Sequence, residues 1–328
     1  MSQQPSASGE SFASTLNHLT GIGFRVRMLM PADSPQLAVL QGHGLTVRLE
    51  SADTAPAPGD GPAELPPLAE EFVLSRAPIG DETDDQFGEG RAGMRYRDLI
   101  PGRLGGRFIA SHILIPEGGP VPDYVHFHRV AFQLIVCHRG WVKVAYEDQG
   151  EPLVMHEGDC VLQPATIRHR VLEASDRMQV VEVGCPAEHE TWADPDLQLP
   201  TGRLLPERAF GPDGHRFVHH IAADAEWAAS TLAGYESSNT GIDTATAGAA
   251  SVQVHRPTNS APPVQCLHDG QFLFHFVLVG EVTLQRAGDD PMRLAEGDSF
   301  VVPADVPFTL SNPSDDLRLL DVRMPDPA

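Results

Sequence analysis

The 328-residue chain is 41% hydrophobic and carries 23 Lys and Arg against 45 Asp and Glu, a formal charge of -22. Its length suits about two domains, and its charge repels nucleic-acid backbones and anionic lipid, so neither nucleic acid nor membrane is expected as a partner. The start, "MSQQPSASGESFASTLNHLT", has no basic-then-apolar leader, and the four cysteines form no CxxC pair. A cytoplasmic protein with reduced thiols and no thiolate zinc site is therefore expected.

In chain order, "FRVRMLM" and "QLAVLQGHGLTVRLE" are predicted as short strands joined by turns, with His43 in a Gly-His-Gly turn facing solvent. They define an N-terminal extension over 1–50. Residues 51–69, rich in Pro, Ala, Gly and Asp without a periodic apolar face, are predicted as a linker. Two β-rich units follow, over 70–190 and 216–328, separated by a connector at 191–215. The one helix predicted near that junction is a short one at "ADAEWAAS".

The two units are copies. "HFHRVAFQLIVCHRGWV" aligns with "CLHDGQFLFHFVLVGEV" at an offset of 140, pairing His128 with His268, Gly140 with Gly280 and Val142 with Val282. At an offset of 139, "EGDCVLQPATIRH" aligns with "EGDSFVVPADVPF", pairing Gly158, Asp159 and Pro164 with Gly297, Asp298 and Pro303. "EFVLSRAP" and "RFVHHIAA" are candidate equivalent leading strands. Short Val/Ile/Leu/Phe runs punctuated by Gly, Pro and Asp indicate an all-β sandwich or barrel in each copy.

Alternate residues of a strand share a face, so His126 and His128 point the same way with Cα atoms roughly 7 Å apart, a separation one metal ion can bridge. His169, after the "GDCVLQP" strand and turn, is the candidate third ligand. Gln133 lies an odd number of residues from His128 and reaches the same site only if the strand is interrupted. Imidazole suits several ions, so residue type does not choose among Fe, Zn, Ni and Cu.

These residues resemble the two motifs of the cupin superfamily. Gly119, His126, His128, Gln133 in the usual Glu position and Gly140 match the first; Gly158, Pro164, Thr166 in a usual Gly position and His169 match the second. With the duplication, the layout is similar to that of bicupins of the gentisate and salicylate dioxygenase type. The resemblance implies two antiparallel jelly-roll barrels in tandem after a short N-terminal extension. It also implies one divalent metal ion, Fe(II) by preference with Zn, Ni, Mn or Cu as alternatives, held by His126, His128 and His169. Gln133 would be a fourth ligand or a hydrogen-bonding neighbour. In the second copy the equivalent positions hold Cys266, Leu273 and Phe308, so that barrel is expected to have lost its metal; Cys266, His268 and His275 form a weaker alternative set.

Replacing the family Glu by a neutral amide leaves the ion's charge undiminished and removes the obvious general base, which favours a small anionic substrate. Arg168, Tyr146 and His112 are candidate substrate-binding residues, and no catalytic residue is assigned. The implied activity is an Fe(II) dioxygenase of a small anionic aromatic or enolisable compound. A non-redox cyclase, isomerase or lyase, or a ligand-binding cupin without catalysis, is the alternative. A homodimer or larger homo-oligomer is expected.

Overall fold

The computed structural model describes residues 12–31, 35–51, 65–78, 86–89, 93–259 and 261–326. Four sheets and one small hairpin, all antiparallel, make two barrels. In the first barrel one sheet runs Leu153–His156, Trp141–Tyr146, His169–Ala174, His126–His128, Thr191–Ala193, and continues into Arg25–Met30, Leu37–Gly42 and Leu45–Glu50. The opposing sheet is built on Cys160–Leu162, Phe132–Arg139, Met178–Cys185, Ile109–Ile115 and Arg95–Asp98. The second barrel repeats the plan. Its larger sheet holds Tyr235–Asn239, Ser251–Pro257, Arg318–Met324, Phe272–Val279 and Ser299–Val301, and its smaller one Val264–Cys266, Phe308–Ser311, Glu281–Arg286 and Met292–Ala295.

Alternation along each strand divides the apolar residues between two places. In Phe272–Val279, Leu273 and Val277 fill the second barrel, whereas Phe272, Phe274 and Phe276 point out of it. Those phenylalanines meet Phe108, Phe132, Leu134, Val181 and Val183 of the first barrel in a core shared by both, where Phe108 stacks on Phe272 with ring centres 4.0 Å apart. A strand buried on both faces cannot alternate apolar with polar, which explains the run "FLFHFVLV", apolar except at His275.

The leading strands cross over. Val73–Ser75 lies between strands of the first barrel in sequence yet pairs with Ser299–Val301 of the second, and Val218–His220 pairs with Cys160–Leu162 of the first. Each arm is latched alike. The Asp159 carboxylate accepts from the Ala222 and His156 amides at 2.8 Å each, and Asp298 accepts from the Ala77 amide at 2.6 Å and the Ala295 amide at 3.0 Å.

The expected boundaries therefore cut through sheets. Residues 25–50 are strands of the first barrel's sheet rather than an appendage, and the boundary at 190 falls just before Thr191–Ala193, which pairs with His126–His128. Residues 52–64 of the expected linker lie outside the described residues, while Leu65 and Leu68 pack against the shared core. The segment "ADAEWAAS" does not form the expected helix: a single 3-10 turn, Ala222–Asp224, is followed by extended chain. The latch on Ala222 and the strand pairing of Ala228 and Ala229 outweigh the local preference of an alanine-rich run. No helix among the described residues is long and apolar enough to cross a membrane.

Candidate metal centre

His126 and His169 are direct cross-strand partners, and His128, two residues along, shares their face. The three imidazoles are buried, and one nitrogen from each lies within 4.8 Å of the others. Ring centres of His126 and His169 are 4.2 Å apart, and each lies 5.2 Å from that of His128. Among the described residues this is the one cluster of three potential ligands so gathered.

The second nitrogen of each ring is held from behind. His126 Nδ1 lies 2.7 Å from the Tyr124 carbonyl and His169 Nδ1 3.2 Å from that of Ile167. A carbonyl only accepts, so Nδ1 carries the proton and Nε2 the lone pair, the tautomer a metal requires. His128 Nδ1 meets the Thr191 hydroxyl at 2.9 Å, and the Asp123 carboxylate lies 3.7 Å from His126 Nδ1. Neutral nitrogen donors with fixed rings, inside an apolar barrel, fit a divalent first-row ion.

Gln133 reaches this site because the chain is interrupted at residues 129–131: His126–His128 belongs to one sheet and Phe132–Arg139 to the other. It is the centre of a directed chain of hydrogen bonds. The Tyr146 hydroxyl donates to Gln163 Oε1 at 2.6 Å, Gln163 Nε2 to Gln133 Oε1 at 3.0 Å, and Gln133 Nε2 to Glu182 Oε1 at 2.6 Å. Burial pushes the Tyr146 phenol up, which keeps it the donor at the head of the chain.

These four residues, with His128, His169 and His189, form the polar part of a cavity of about 90 Å³ whose other walls include Met94, Ile113, Val142, Val144, Met155 and Val180. The site therefore does contain a carboxylate. Glu182 supplies it from the strand beside Gln133, a transfer across strands that reading along the motif does not show. His189 was also missed; its Nδ1 lies 3.1 Å from the Pro186 carbonyl and its ring centre 5.3 Å from that of His128.

The three candidate substrate-binding residues separate. Tyr146 lines the cavity, but Arg168 and His112 do not. Arg168 lies over the Phe127 ring and pairs with Asp194 at 3.1 Å. His112 sits on the other face of Ile109–Ile115 from the cavity-lining Ile113, between Arg97 Nη2 at 3.2 Å and His138 Nδ1 at 3.1 Å. Burial, then the neighbouring His138 and Arg97, hold its pKa well below the usual histidine value.

In the second barrel, Cys266, Leu273 and Phe308 belong to the apolar core, and His268 Nε2 turns to the Val302 carbonyl at 2.8 Å. Cys266, His268 and His275 do not converge as a ligand set. A buried carboxylate there, Asp321, takes two hydrogen bonds from Arg323 at 2.7 and 2.8 Å and lies 3.1 Å from His275 Nε2. Arg323 supplies a positive charge within this barrel, against Asp321.

The family model described as Cupin domain matches residues 252–323. Salicylate 1,2-dioxygenase from Pseudoaminobacter salicylatoxidans, solved as adducts with gentisate, is 16% identical with a TM-score of 0.54, over 79% of this chain and 82% of that one. Oxalate decarboxylase from Bacillus subtilis is 13% identical with a TM-score of 0.51, over 78% and 77%. Protein Ylba from E. coli is 10% identical with a TM-score of 0.51, over 80% and 95%. Residues 252–323 thus match a cupin domain, and the fold of the whole chain, two jelly-roll barrels with a three-histidine cluster in the first, is shared with these proteins. No curated protein matches its sequence.

Proposed function

We propose that this bicupin is a metal-dependent enzyme, an Fe(II) dioxygenase of a small anionic aromatic or enolisable substrate. The observation that carries the reading is the convergence of three buried imidazoles whose opposite nitrogens are tied down. His126, His128 and His169 would hold the ion, which would supply Lewis acidity and, as iron, redox chemistry toward O2. The chain's own residues bind and orient. Apolar walls exclude water and accept the substrate's body, His189 and Gln133 face its polar end, and Glu182 receives a proton from an enolisable or phenolic group. The chain from Tyr146 through both glutamines fixes the side chain of Glu182, because amides orient hydrogen bonds rather than relay protons.

The Glu182 carboxylate favours one other reading, a non-redox isomerase or lyase on the same residues, in which proton transfer is the whole reaction. Protein purified without oxygen should contain about one iron per chain, lost in His126→Ala, and should consume O2 with one of a panel of phenolic acids and β-diketones. Zinc or nickel with no O2 uptake would overturn the dioxygenase in favour of the non-redox enzyme. Wild-type metal content in His126→Ala would remove the basis of both.

A further inference from the structure

A second concavity, far larger than the first, opens between the barrels. Its volume is about 600 Å³, within the range of small-molecule sites. Three arginines, Arg139, Arg256 and Arg318, line this cleft together with two carboxylates, Glu157 and Glu296. Arg139 is already engaged by Glu296 at 2.5 Å. The opposite wall differs.

Strands Tyr235–Asn239, Ser251–Pro257 and Arg318–Met324 lie side by side there. Ser238 faces Val254 across one pair and Val254 faces Leu320 across the next. Arg256 and Arg318, each two residues further toward the same end, share that face. Both guanidinium groups lie against one indole, Arg256 at 4.1 Å and Arg318 at 5.6 Å from the Trp227 ring centre.

Arg256 is paired with Glu236 at 2.7 Å, whereas Arg318 donates to the backbone carbonyls of Asp316 and Leu317. Among the described residues no carboxylate lies within ion-pair distance of Arg318. Burial, then repulsion from Arg256, lowers its hold on its proton, and Asp316 offsets this in part. Beside them the Ser238 hydroxyl, 1% exposed, has no hydrogen-bond partner among the described residues. A buried hydroxyl with nothing to bond, next to an arginine that has no ion pair, is an arrangement that a bound anion would complete.

We propose that this cleft is a second ligand site, binding a small oxyanion between Arg318 and Arg256 with Ser238 as a further donor. The oxyanion is the acidic group of a carboxylate or phosphate metabolite. The site stands on the other side of the first barrel's wall from the metal centre and shares no lining residue with it. It is therefore a place for an effector rather than for the substrate.

The test is calorimetric titration of the full-length protein with inorganic phosphate and, separately, with succinate, which tells a phosphate site from a carboxylate one. Saturable binding of either, weakened roughly tenfold or more in Arg318→Gln and in Ser238→Ala but unchanged in His126→Ala, would bear the proposal out. Two results would overturn it: no saturable binding of either anion, or binding that survives both cleft variants and disappears in His126→Ala. Ser238→Ala, which removes only a hydroxyl, keeps the test decisive if Arg318→Gln fails to fold.

Discussion

Each metal-facing imidazole is fixed by a partner that no motif names. His126 and His169 use carbonyls two residues away, but His128 depends on Thr191, 63 positions further on, and the Gln133 amide depends on Glu182. The three histidines were legible because their spacing follows the chain. Thr191, Glu182, Gln163 and His189 were not, because cross-strand register brings them in and local sequence does not encode it. His112 was misplaced for a related reason: adjacency to a barrel strand does not say which face a residue takes. The thiols make a direct test at this scale. Burial pushes Cys137, Cys160 and Cys185 up to about 12, so a thiol reagent at pH 8 should label none of these three in the native protein and all of them in urea. Rapid native labelling of any one would contradict its buried setting.

Among the elements, the two EGD turns carry the most. Gly158 and Gly297 adopt positive φ, and a Cβ at either would come within 3.0 Å of the arm that crosses from the other half, at Ala222 or Ala77. The aspartate after each glycine then ties one amide of that arm, at Ala222 or Ala77, to one of its own turn, at His156 or Ala295. Removing such a carboxylate leaves backbone donors without their charged acceptor, so Asp159→Ala should cost about 3 kcal/mol in urea unfolding. A cost under about 1 kcal/mol would mean the latch contributes little. "EFVLSRAP" and "RFVHHIAA" were recognisable as equivalents, and they do occupy equivalent places. Which barrel each one joins could not be read, since a β-rich segment pairs equally well with either copy of a repeated edge.

At the scale of the molecule, the shared core makes the barrels one cooperative body. Phe274 is fully buried at its centre, and Phe274→Ala should lower stability by about 3–5 kcal/mol while probes in both barrels still unfold together. Separate transitions would show that the barrels fold independently. Glu296 of the second barrel reaches His138 at 3.3 Å and Arg139 at 2.5 Å of the first, and these bonds hold its carboxyl at about 2. A carboxylate with a depressed native pKa stabilises the fold above the ordinary glutamate range near 4.3, and that contribution disappears as pH falls toward about 2. Glu296→Gln should therefore flatten the acid-induced loss of stability between about pH 4 and 2, measured by urea midpoints across that window. An unchanged profile would assign the acid sensitivity to other carboxylates. The crossed arms bear on ancestry. A single-barrel forebear carrying the same arm would have had an empty groove to fill, and only a sister chain could have filled it. Joining the two copies in one chain would then have made such a partnership permanent. Two half-length polypeptides cut from this protein should accordingly seek each other rather than fold as independent barrels.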